Sequence, residues 1–577
     1  MRLGTNGVRG PLRECPGDYT WSHGVVGGTG DKEHMSTPAT RRLDAIIEAL
    51  ELPEMIRSRT FTESIDHLMA TDSLLPHTRV VVAIMACTGS YPKESDVARL
   101  TPIVAVGSHD QAVKFLKGIT RKASRKSRKR EPQIFSGTVI DVSRSSRALS
   151  ITGIPRVAMA LSAQGAKLGA KSVVWEGGAP GGVSITPDGG WSLEPDVWAG
   201  SFRKRTWLLS LKNTFWRTMN LVASLPYGHS LVRMLRTLVS PLANTMFDRS
   251  GPRSLLIMAN CHYIAPEVPR PDIVTRVLTW AKVNPRLRTT VVLHDLLPIL
   301  DAKNFAPDQS LEHIEFMRFI ASCSTVIAPS PHLIEQIDAV RILFDPHPQA
   351  RTVVAPFGLA THSKIQSSTP ATTTASDANP TFLMIGSMDD RKNHALAFWA
   401  LGLMGQGHAG QPGIPSTLHV VGARRPTSNN TRDALTFARA NNVTVIEHHG
   451  ASDAMVHELM HCSLATLYLS WSEGFGLPIL ESLAQGVPVV ASDIPPHRAH
   501  EQYGGIVFTP PNDPLALTKL LTTMTQTPQY VDLLTETINA DAMPSEPALW
   551  ADIVLNSASA ATTNSALTRD FAGVHTS

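Results

Sequence analysis

Short apolar runs alternate with segments of helical periodicity through the second half of this 577-residue chain. The runs are rich in Val, Ile, Leu and Thr and are too short for buried helices, so they are predicted to be strands. Strands separated by helices pair in parallel and build a doubly wound α/β sheet. The predicted strands are TFLMIGS (381–387), TLHVVGA (417–423), VTVIEH (443–448), LATLYLS (464–470) and VPVVASD (487–493).

A similar series precedes this one and predicts a second sheet. The strand TVIDV (138–142) is followed by a helical pattern that includes Val157 and Leu161, and the chain returns as a strand at Ser172–Trp175. Gly153 stands in the loop between the first strand and the helix, where ligands of doubly wound sheets bind. A plain turn is the simpler explanation of a single glycine.

Three more strands are predicted in this first series: SLLIMAN (254–260), TTVVLHDLLPI (289–299) and the start of STVIAPSPHLIEQI (324–337). The second of them is apolar throughout, which is typical of a parallel strand buried on both faces, and it ends in His294 and Asp295. A histidine at the tip of such a strand faces the usual ligand crevice. A structural histidine is the competing interpretation.

The first 133 residues carry no recognisable chemical motif. Residues 1–40 are rich in Gly, Thr and charge, so disorder is expected. Arg42–Leu50 has the pattern of a short amphipathic helix, and VVVAIMA at Val80–Ala86 is predicted to be a buried strand. The basic run RKASRKSRKR (121–130) is predicted to be a solvated linker, with a contact to anionic lipid or an acidic partner as the alternative.

Composition limits the classes of function. A chain of this length needs at least two domains, and 42% hydrophobic with 18% charged residues is typical of a soluble globular protein. The net charge is +4, but seven basic residues lie in 121–130 alone, so the charge gives no case for a nucleic-acid partner. Five scattered cysteines without a C-x-x-C pair argue against a disulfide framework or a zinc site. No signal-peptide core and no long apolar run is visible, so a cytoplasmic location is expected.

The stretch 203–240 combines seven basic residues with no acidic one. Trp207, Leu211 and Phe215 recur at helical spacing and give one apolar face. One interpretation is a core-facing helix with a solvated basic back. The other is peripheral contact with anionic lipid headgroups on the inner face of a membrane.

The strongest chemical signature is SWSEGFGLPILESLAQG (470–486). Gly474 and Gly476 allow a tight turn close to a ligand, and a helix is predicted to begin at Pro478. The free N–H groups at that helix start favour phosphate, with Glu473 in the preceding loop and Glu481 in the first turn. Two carboxylates beside a phosphate cradle suit a hydroxyl-rich ligand such as a nucleotide sugar. A capped helix with an acidic first turn is the alternative.

A second cationic element lies between the first strand and first helix of the C-terminal series. Arg391 and Lys392, within MDDRKNH (388–394), are placed where they could neutralise a diphosphate at the end of the strand. A surface charge pair is the competing explanation.

Taken in order, IGSMDDRKNH, VVG and SEGFGLPILESLAQGVPVVASD resemble the C-terminal half of retaining glycosyltransferases of family four, which have the GT-B architecture. The segments IDVSR, TGIPRV, LHDLLP and VIAPS resemble the N-terminal half of the bacterial mannosyltransferase-like branch. The resemblance covers about 134–555. It implies two Rossmann-like domains facing each other across a cleft, with the donor nucleotide on the C-terminal domain and the acceptor on the N-terminal one.

The resemblance also implies residue roles. Glu473 would bind donor-sugar hydroxyls and Glu481 the ribose hydroxyls, whereas Arg391 and Lys392 would stabilise the diphosphate. His294 would lie over the reacting sugar from the opposite domain, and Gly153 would line the phosphate side. The residues implied in catalysis are Glu473, His294, Lys392 and Arg391. Those implied in donor binding are Gly386, Gly474, Phe475, Gly476, Leu477, Glu481 and Gly153. Two departures from the family stand out: Ser387 occupies a position that is often basic, and IPPHRAHEQYGG (494–505) lacks the usual Pro-Glu pair.

The sequence therefore predicts a retaining, metal-independent hexosyltransferase. It would transfer mannose from a nucleotide sugar such as GDP-mannose to a glycan or lipid-linked acceptor in polysaccharide or glycolipid biosynthesis. No cofactor is expected beyond the nucleotide sugar, which is a co-substrate. The alternatives are a catalytically silent sugar-nucleotide-binding or scaffold subunit and a nucleotide-sugar epimerase of the same fold. The predicted segments are an N-terminal extension (1–133), an acceptor domain (134–366), a linker (367–380), a donor domain (381–557) and a disordered tail (558–577).

Overall fold

The computed structural model describes residues 37–147, 153–186, 191–194, 252–344, 351–357, 379–407, 412–544 and 547–559, apart from positions 59 and 426. The basic stretch 203–240, most of the predicted linker and nearly all of the predicted tail lie outside these ranges, as do the first 36 residues. The predicted domain boundaries themselves stay predictions.

In the described part of the chain, five α-helices precede the first strand. Arg42–Leu50 is helical as predicted, whereas the predicted strand at Val80–Ala86 is wrong because this run is helical. The helix that contains it is apolar on all sides because it is buried on all sides, so its sequence shows no helical period. The helices are α1 (Pro38–Leu50), α2 (Phe61–Ala70), α3 (Pro76–Thr88), α4 (Glu94–Ala105) and α5 (His109–Lys122).

The basic run 121–130 is not a free linker. It closes α5, makes a single turn at Ser127–Lys129 and enters the first strand through Arg130, which is buried. The Arg130 guanidinium donates to the carbonyls of Gly89, Gly177 and Pro252 at 2.9–3.0 Å. A buried cation needs such acceptors, so Arg130 fastens the helical layer to the sheet.

The first sheet has eight strands, in the order β4-β3-β2-β1-β5-β6-β7-β8. The β2–β3 and β3–β4 pairs are antiparallel and the remaining pairs are parallel, as the alternation of strands and helices predicts. The predicted strand 289–299 is shorter than expected, because it ends at Val292 and leaves His294 in the following loop. The strands are β1 (Glu131–Asp141), β2 (Lys171–Glu176), β3 (Ala179–Ile185), β4 (Trp191–Leu193), β5 (Ser254–Ala265), β6 (Arg288–Val292), β7 (Thr325–Ala328) and β8 (Arg351–Val354).

Helices cover this sheet, and its core is continuous with that of α1–α5. The N-terminal helices therefore share a hydrophobic core with the first sheet rather than standing apart from it. The helices of this part are α6 (Ile154–Lys167), α7 (Pro271–Ala281), α8 (Leu297–Leu300), α9 (Pro307–Ser322) and α10 (Pro331–Phe344).

The second sheet has six parallel strands in the order β11-β10-β9-β12-β13-β14. This is the doubly wound order in which the direction of winding reverses between β9 and β12, where such sheets bind ligands. The strands are β9 (Thr381–Ile385), β10 (Ser416–Val421), β11 (Val443–His448), β12 (Ala465–Tyr468), β13 (Val489–Ser492) and β14 (Ile506–Thr509). The helices are α11 (His394–Gln406), α12 (Asn429–Ala440), α13 (Asp453–His461), α14 (Leu477–Ala484), α15 (Pro495–Arg498), α16 (Pro514–Gln526), α17 (Pro528–Glu536) and α18 (Pro547–Ser559).

The two halves are joined by a shared core and by the last helix. One hydrophobic cluster contains Ile140 and Val157 from the first half together with Phe475 and Ile479 from the second. From α18, the Trp550 indole N–H donates to the Ala355 carbonyl at 3.1 Å. In the ranges that the structure describes, no helix combines the length and apolar character needed to cross a membrane.

Candidate active site

The loop that carries Glu473 lies between β12 and α14, at the point where the strand order of the second sheet reverses. Gly476 caps α14 with φ of 91°, a left-handed conformation that favours glycine. The helix begins at Leu477, one residue earlier than predicted. Glu481 therefore lies in the second turn of α14 rather than the first.

Glu473 and two cations form a triad that is largely shielded from solvent. Glu473 Oε1 accepts from Lys392 Nζ at 2.5 Å and from Arg391 Nη1 at 3.0 Å. Arg391 also donates to the Ser472 carbonyl at 3.0 Å, and Lys392 donates to the Tyr468 hydroxyl at 2.9 Å. The surface-pair explanation of Arg391 and Lys392 is thereby wrong, since the side chains of the triad are only 10–18% exposed.

The charge state of the triad is set by its pairing. Burial alone would raise the pKa of Glu473, but Lys392 and Arg391 outweigh it and hold that pKa at about 2. Burial likewise opposes the charged form of Lys392, yet Tyr468 and Glu473 raise its pKa above the ordinary value. One carboxylate faces two cations, so the triad carries one positive charge in excess. Such a cluster attracts an anionic ligand.

Gly474 lies directly against the first half of the chain. A Cβ atom on Gly474 would stand 2.2 Å from the His294 carbonyl oxygen and 2.7 Å from Asp295 Cβ, so only glycine fits this contact. Phe475 is buried and meets the Phe357 ring edge-on, with ring centroids 5.5 Å apart. The tip of the motif is therefore packed into the junction of the two halves.

His294 reaches the same junction from the opposite side. Its Nε2 donates to the Pro266 carbonyl at 2.7 Å, and its ring stacks on Phe357 with centroids 5.1 Å apart. Burial lowers the pKa of His294, so the neutral ring is favoured. The structure places His294 beside the Glu473 loop through its backbone. Its role over a reacting sugar stays a prediction.

Glu481 is paired with a residue that the sequence alone did not single out. Arg156, in the first turn of α6, contacts Glu481 at 3.4 Å and also pairs with Asp453 at the start of α13. Burial raises the pKa of Glu481 while Arg156 lowers it. Arg156 is the arginine of the TGIPRV segment, three residues after Gly153. A basic residue in the first turn of the predicted helix was the sequence signal by which it could have been found.

The two remaining glycines of the predicted site differ in their surroundings. Gly386 follows β9 with φ of 141°, and a Cβ there would lie 3.2 Å from Lys392 Cε, so glycine leaves room for the lysine stem. Gly153 precedes α6 with φ of 55°, and, its chain neighbours apart, no atom of the described residues lies within 4 Å of the position its Cβ would take. Gly386 thus packs against the lysine of the triad. The predicted donor contact of Gly153 stays open.

Two histidines of the unusual loop after β13, His497 and His500, are buried beside the Glu473 turn. His500 Nε2 donates to the Phe475 carbonyl at 2.6 Å, and His497 Nδ1 donates to the Ser492 carbonyl at 2.9 Å. Burial lowers the pKa of His497 to about 4, so its ring is neutral. This segment lacks the Pro-Glu pair that the resemblance implies. Two neutral histidines lie beside the Glu473 turn instead, His500 at Phe475 and His497 at Gly476.

A cleft of about 550 Å³ opens beside Glu473, between the carboxyl ends of strands from both sheets. The first half contributes the turn after α8 and the start of α10, and the second half contributes the Glu473 loop and α15. Among the described residues, no group of three His, Cys, Asp or Glu side chains is arranged to hold a metal ion. The predicted metal independence stays a prediction.

A family model and several known proteins match parts of this chain. Residues 309–494 match the model of the family described as "Family 4 Glycosyltransferase in conflict systems". The serotype-specific mannosyltransferase WbdA of Escherichia coli is 28% identical over 225 residues, which is 35% of this chain and 26% of WbdA. A second WbdA sequence is 30% identical over 118 residues, covering 20% of this chain and 14% of its own length. The chain thus spans about a quarter or less of these relatives.

Solved structures show a broad likeness only. Anabaena HepE, in complex with UDP, is 14% identical and aligns over 74% of this chain and all of its own, with a TM-score of 0.45. Sucrose-phosphate synthase from Thermosynechococcus elongatus has the same identity, the same two coverages and the same TM-score. Likenesses this distant carry no information on substrate.

The matched range 309–494 contains Arg391, Lys392, Glu473 and Glu481, the charged residues of the C-terminal site. The predicted resemblance to family 4 glycosyltransferases is confirmed over residues 309–494. The predicted α/β class with GT-B architecture is confirmed by the two mostly parallel sheets.

Proposed function

We propose that this protein is a retaining glycosyltransferase that moves a hexose, most readily mannose, from a nucleotide-diphosphate sugar to a hydroxyl acceptor. The observation that carries the proposal is the triad, in which the Glu473 carboxylate is held by Lys392 and Arg391 at the reversal point of the donor sheet. The family match supports the reaction class, and the WbdA relatives support mannose and hence GDP-mannose as donor.

In the proposed reaction, the acceptor oxygen forms a bond to the anomeric carbon on the face from which the diphosphate departs. The bond between that carbon and the phosphate oxygen breaks, and its electron pair stays on the diphosphate. The acceptor proton passes to the departing phosphate oxygen. Arg391 and Lys392 stabilise the growing negative charge, a role that suits preorganised cations in a site screened from water.

Glu473 has two tasks in this proposal. Before the donor binds, it neutralises part of the charge of Lys392 and Arg391, which would otherwise be buried without an anion. Once the diphosphate arrives, the cations have a second anionic partner and Glu473 can accept hydrogen bonds from donor hydroxyls. Because its pKa is held at about 2, Glu473 is an acceptor at any physiological pH and cannot act as a general acid.

The proposal also concerns the acceptor molecule and the biological process that the transfer serves. A glycan or lipid-linked acceptor in polysaccharide or glycolipid synthesis suits the WbdA relatives. The family description favours a second candidate, in which the transfer serves a conflict system. A cytoplasmic enzyme with peripheral membrane contact through 203–240 fits the first candidate. That contact stays a prediction, since 203–240 lies outside the described residues.

The test is a turnover assay with purified protein and a panel of GDP-, UDP- and ADP-sugars. We expect release of the nucleoside diphosphate. We also expect NMR to show that the product keeps the anomeric configuration of the donor. Inversion of configuration would contradict the mechanism. An exchange of sugar configuration without release of nucleoside diphosphate would favour the epimerase alternative. Binding without turnover would favour the silent subunit.

A further inference from the structure

The cleft beside Glu473 shares just one residue, Glu473 itself, with the predicted site; Lys392, Glu481 and Gly153 do not line it. The groups expected to hold the donor diphosphate and ribose thus lie elsewhere, whereas the residue expected to hold the donor sugar forms part of the wall of the cleft. A molecule in the cleft would meet the donor at its sugar. That is the position an acceptor has to take.

One wall of the cleft is an exposed aromatic surface on a fixed backbone. The Trp471 side chain is 46% exposed, although its backbone N–H donates to the Arg391 carbonyl at 2.9 Å. Leu300, on the opposite half, is 50% exposed and lines the same cleft. Trp471 and Leu300 are exposed within one concave site beside the Glu473 loop, and apolar side chains that line a cleft are what ligand sites present.

The facing wall comes from the first half and is polar apart from Leu297 and Leu300. Asp301 Oδ2 accepts from Ser472 Oγ at 2.8 Å and from Asn304 Nδ2 at 2.8 Å, so this carboxylate spans the cleft in a fixed position. On α10, Gln336 Nε2 lies 3.0 Å from His332 Nε2. An apolar platform facing fixed hydrogen-bonding groups matches a ligand with one apolar face and a rim of hydroxyls.

We infer that this cleft is the acceptor subsite and that it takes a sugar ring, stacked on the indole of Trp471, with its hydroxyls toward Asp301 and its neighbours. A pyranose has the required chemistry, because its C–H face is apolar and its edge is hydroxylated. The acceptor is therefore a carbohydrate rather than a lipid or a protein side chain. The inference rests on the proposed function and adds the substrate class.

The test uses the full-length protein labelled with 5-fluorotryptophan, with the Trp471 resonance assigned through a Trp471→Phe variant. The probes are methyl α-D-mannopyranoside and methyl α-D-glucopyranoside, added with and without GDP or UDP. Trp399 is the matched control, because its indole N–H donates to Asn430 on the outer helices of the donor sheet. A saturable shift of the Trp471 signal, with Trp399 unmoved, is the expected result.

Substitution sharpens the test. Trp471→Ala should weaken binding of the glycoside about tenfold, as expected for loss of an aromatic contact, and Trp471→Phe should lose less. Both should bind the nucleoside diphosphate like the parent, which also shows that they are folded. In a turnover assay the loss should appear in the acceptor KM rather than in the donor KM.

The inference and the proposed function can fail separately. If GDP or UDP binds but neither glycoside shifts the Trp471 signal, the acceptor subsite is wrong and the proposed function stands. If the glycosides shift it and no nucleotide binds, the subsite stands and the proposed function is wrong. A Trp471 shift caused by anionic phospholipid vesicles and by neither glycoside would overturn the carbohydrate assignment in favour of a lipid.

Discussion

Each sheet carries a buried glutamate just beyond the strand at which its winding reverses, and the two carboxyls have opposite surroundings. Glu473 follows β12 and is paired with two cations, which hold its pKa at about 2. Glu267 follows β5 and accepts from neutral donors, the backbone amides of Arg144 and Ser145 and the Ser145 hydroxyl. Burial, with the charge of Asp141 adding to it, raises the pKa of Glu267 to about 7.

The difference shows how one residue type serves two purposes. Surrounded by cations, Glu473 is a permanent anion whose partners can be shared with an incoming diphosphate. Burial and the charge of Asp141 disfavour ionisation of Glu267 despite the hydrogen bonds that it accepts, and these bonds hold the loop after β1 to the loop after β5. The neighbouring Pro266 carbonyl receives the His294 ring, so this glutamate lies in the framework that places His294. We therefore expect Glu473 to be functional and Glu267 to be structural.

The largest expected effect comes from removing the charge of Glu473 while keeping its shape. Glu473→Gln should reduce kcat by about 100-fold or more, the usual range for losing a preorganised polar group at a reacting centre. Glu267→Gln is the matched control and should stay within a few-fold of the parent. Turnover of the best nucleotide sugar measures both. If kcat fell equally in Glu473→Gln and Glu267→Gln, the distinction between a functional and a structural glutamate would be wrong.

Lys392→Ala should weaken binding of the nucleoside diphosphate about tenfold or more, since a charge-assisted contact to phosphate is lost. Lys519→Ala, an exposed lysine on α16, is the control and should not change the affinity. Isothermal titration with GDP and UDP measures this. If Lys392→Ala binds the nucleoside diphosphate as tightly as the parent, Lys392 does not contact the phosphates and serves only as the ion-pair partner of Glu473.

The two glutamates should also give opposite pH dependences of stability. The lowered pKa of Glu473 contributes stability above its ordinary pKa of 4.5, and this is lost as pH falls toward 2. The raised pKa of Glu267 contributes stability below 4.5, and this is lost as pH rises through 7. Relative to Glu473→Gln, the unfolding free energy of the parent should fall by about 2 kcal/mol between pH 5 and pH 3. Relative to Glu267→Gln, it should fall by about 2–3 kcal/mol between pH 5 and pH 8.

Denaturant unfolding of the parent, Glu473→Gln and Glu267→Gln at these pH values provides the measurement. If both differences in unfolding free energy had the same sign of pH dependence, the two carboxyls would have similar environments, and the contrast between a paired and an unpaired glutamate would be wrong.

The smallest effect is expected at Arg156. Its pair with Glu481 joins the two halves but is about one third exposed, so Arg156→Ala should cost at most about 1 kcal/mol of stability. If Glu481 binds the ribose, releasing it from Arg156 should leave GDP or UDP affinity unchanged or slightly tighter. A clear loss of nucleotide affinity in this variant would instead make Arg156 a direct donor contact.

The sequence predicts five of the six strands of the second sheet, because each of the five is a short apolar run bounded by a helical pattern. It misses β14 (Ile506–Thr509). It also predicts the charged members of the site, since Glu473, Lys392 and Arg391 lie in recognisable motifs. It fails at Val80–Ala86, because an apolar run buried on all sides has no period that separates helix from strand. It also misses Arg156 and Arg130, whose partners lie far away along the chain and are set by tertiary packing.

The central claim is that the triad of Glu473, Lys392 and Arg391 binds the diphosphate of a sugar nucleotide. A thermal-shift panel of GDP, UDP, ADP and their sugars, run on the parent and on Lys392→Ala, tests it most directly, because a ligand of the folded state raises the unfolding temperature by mass action. We predict that one nucleoside diphosphate and its sugar stabilise the parent and that Lys392→Ala loses most of this effect. Stabilisation by no member of the panel, or equal stabilisation of the parent and Lys392→Ala, would contradict the claim.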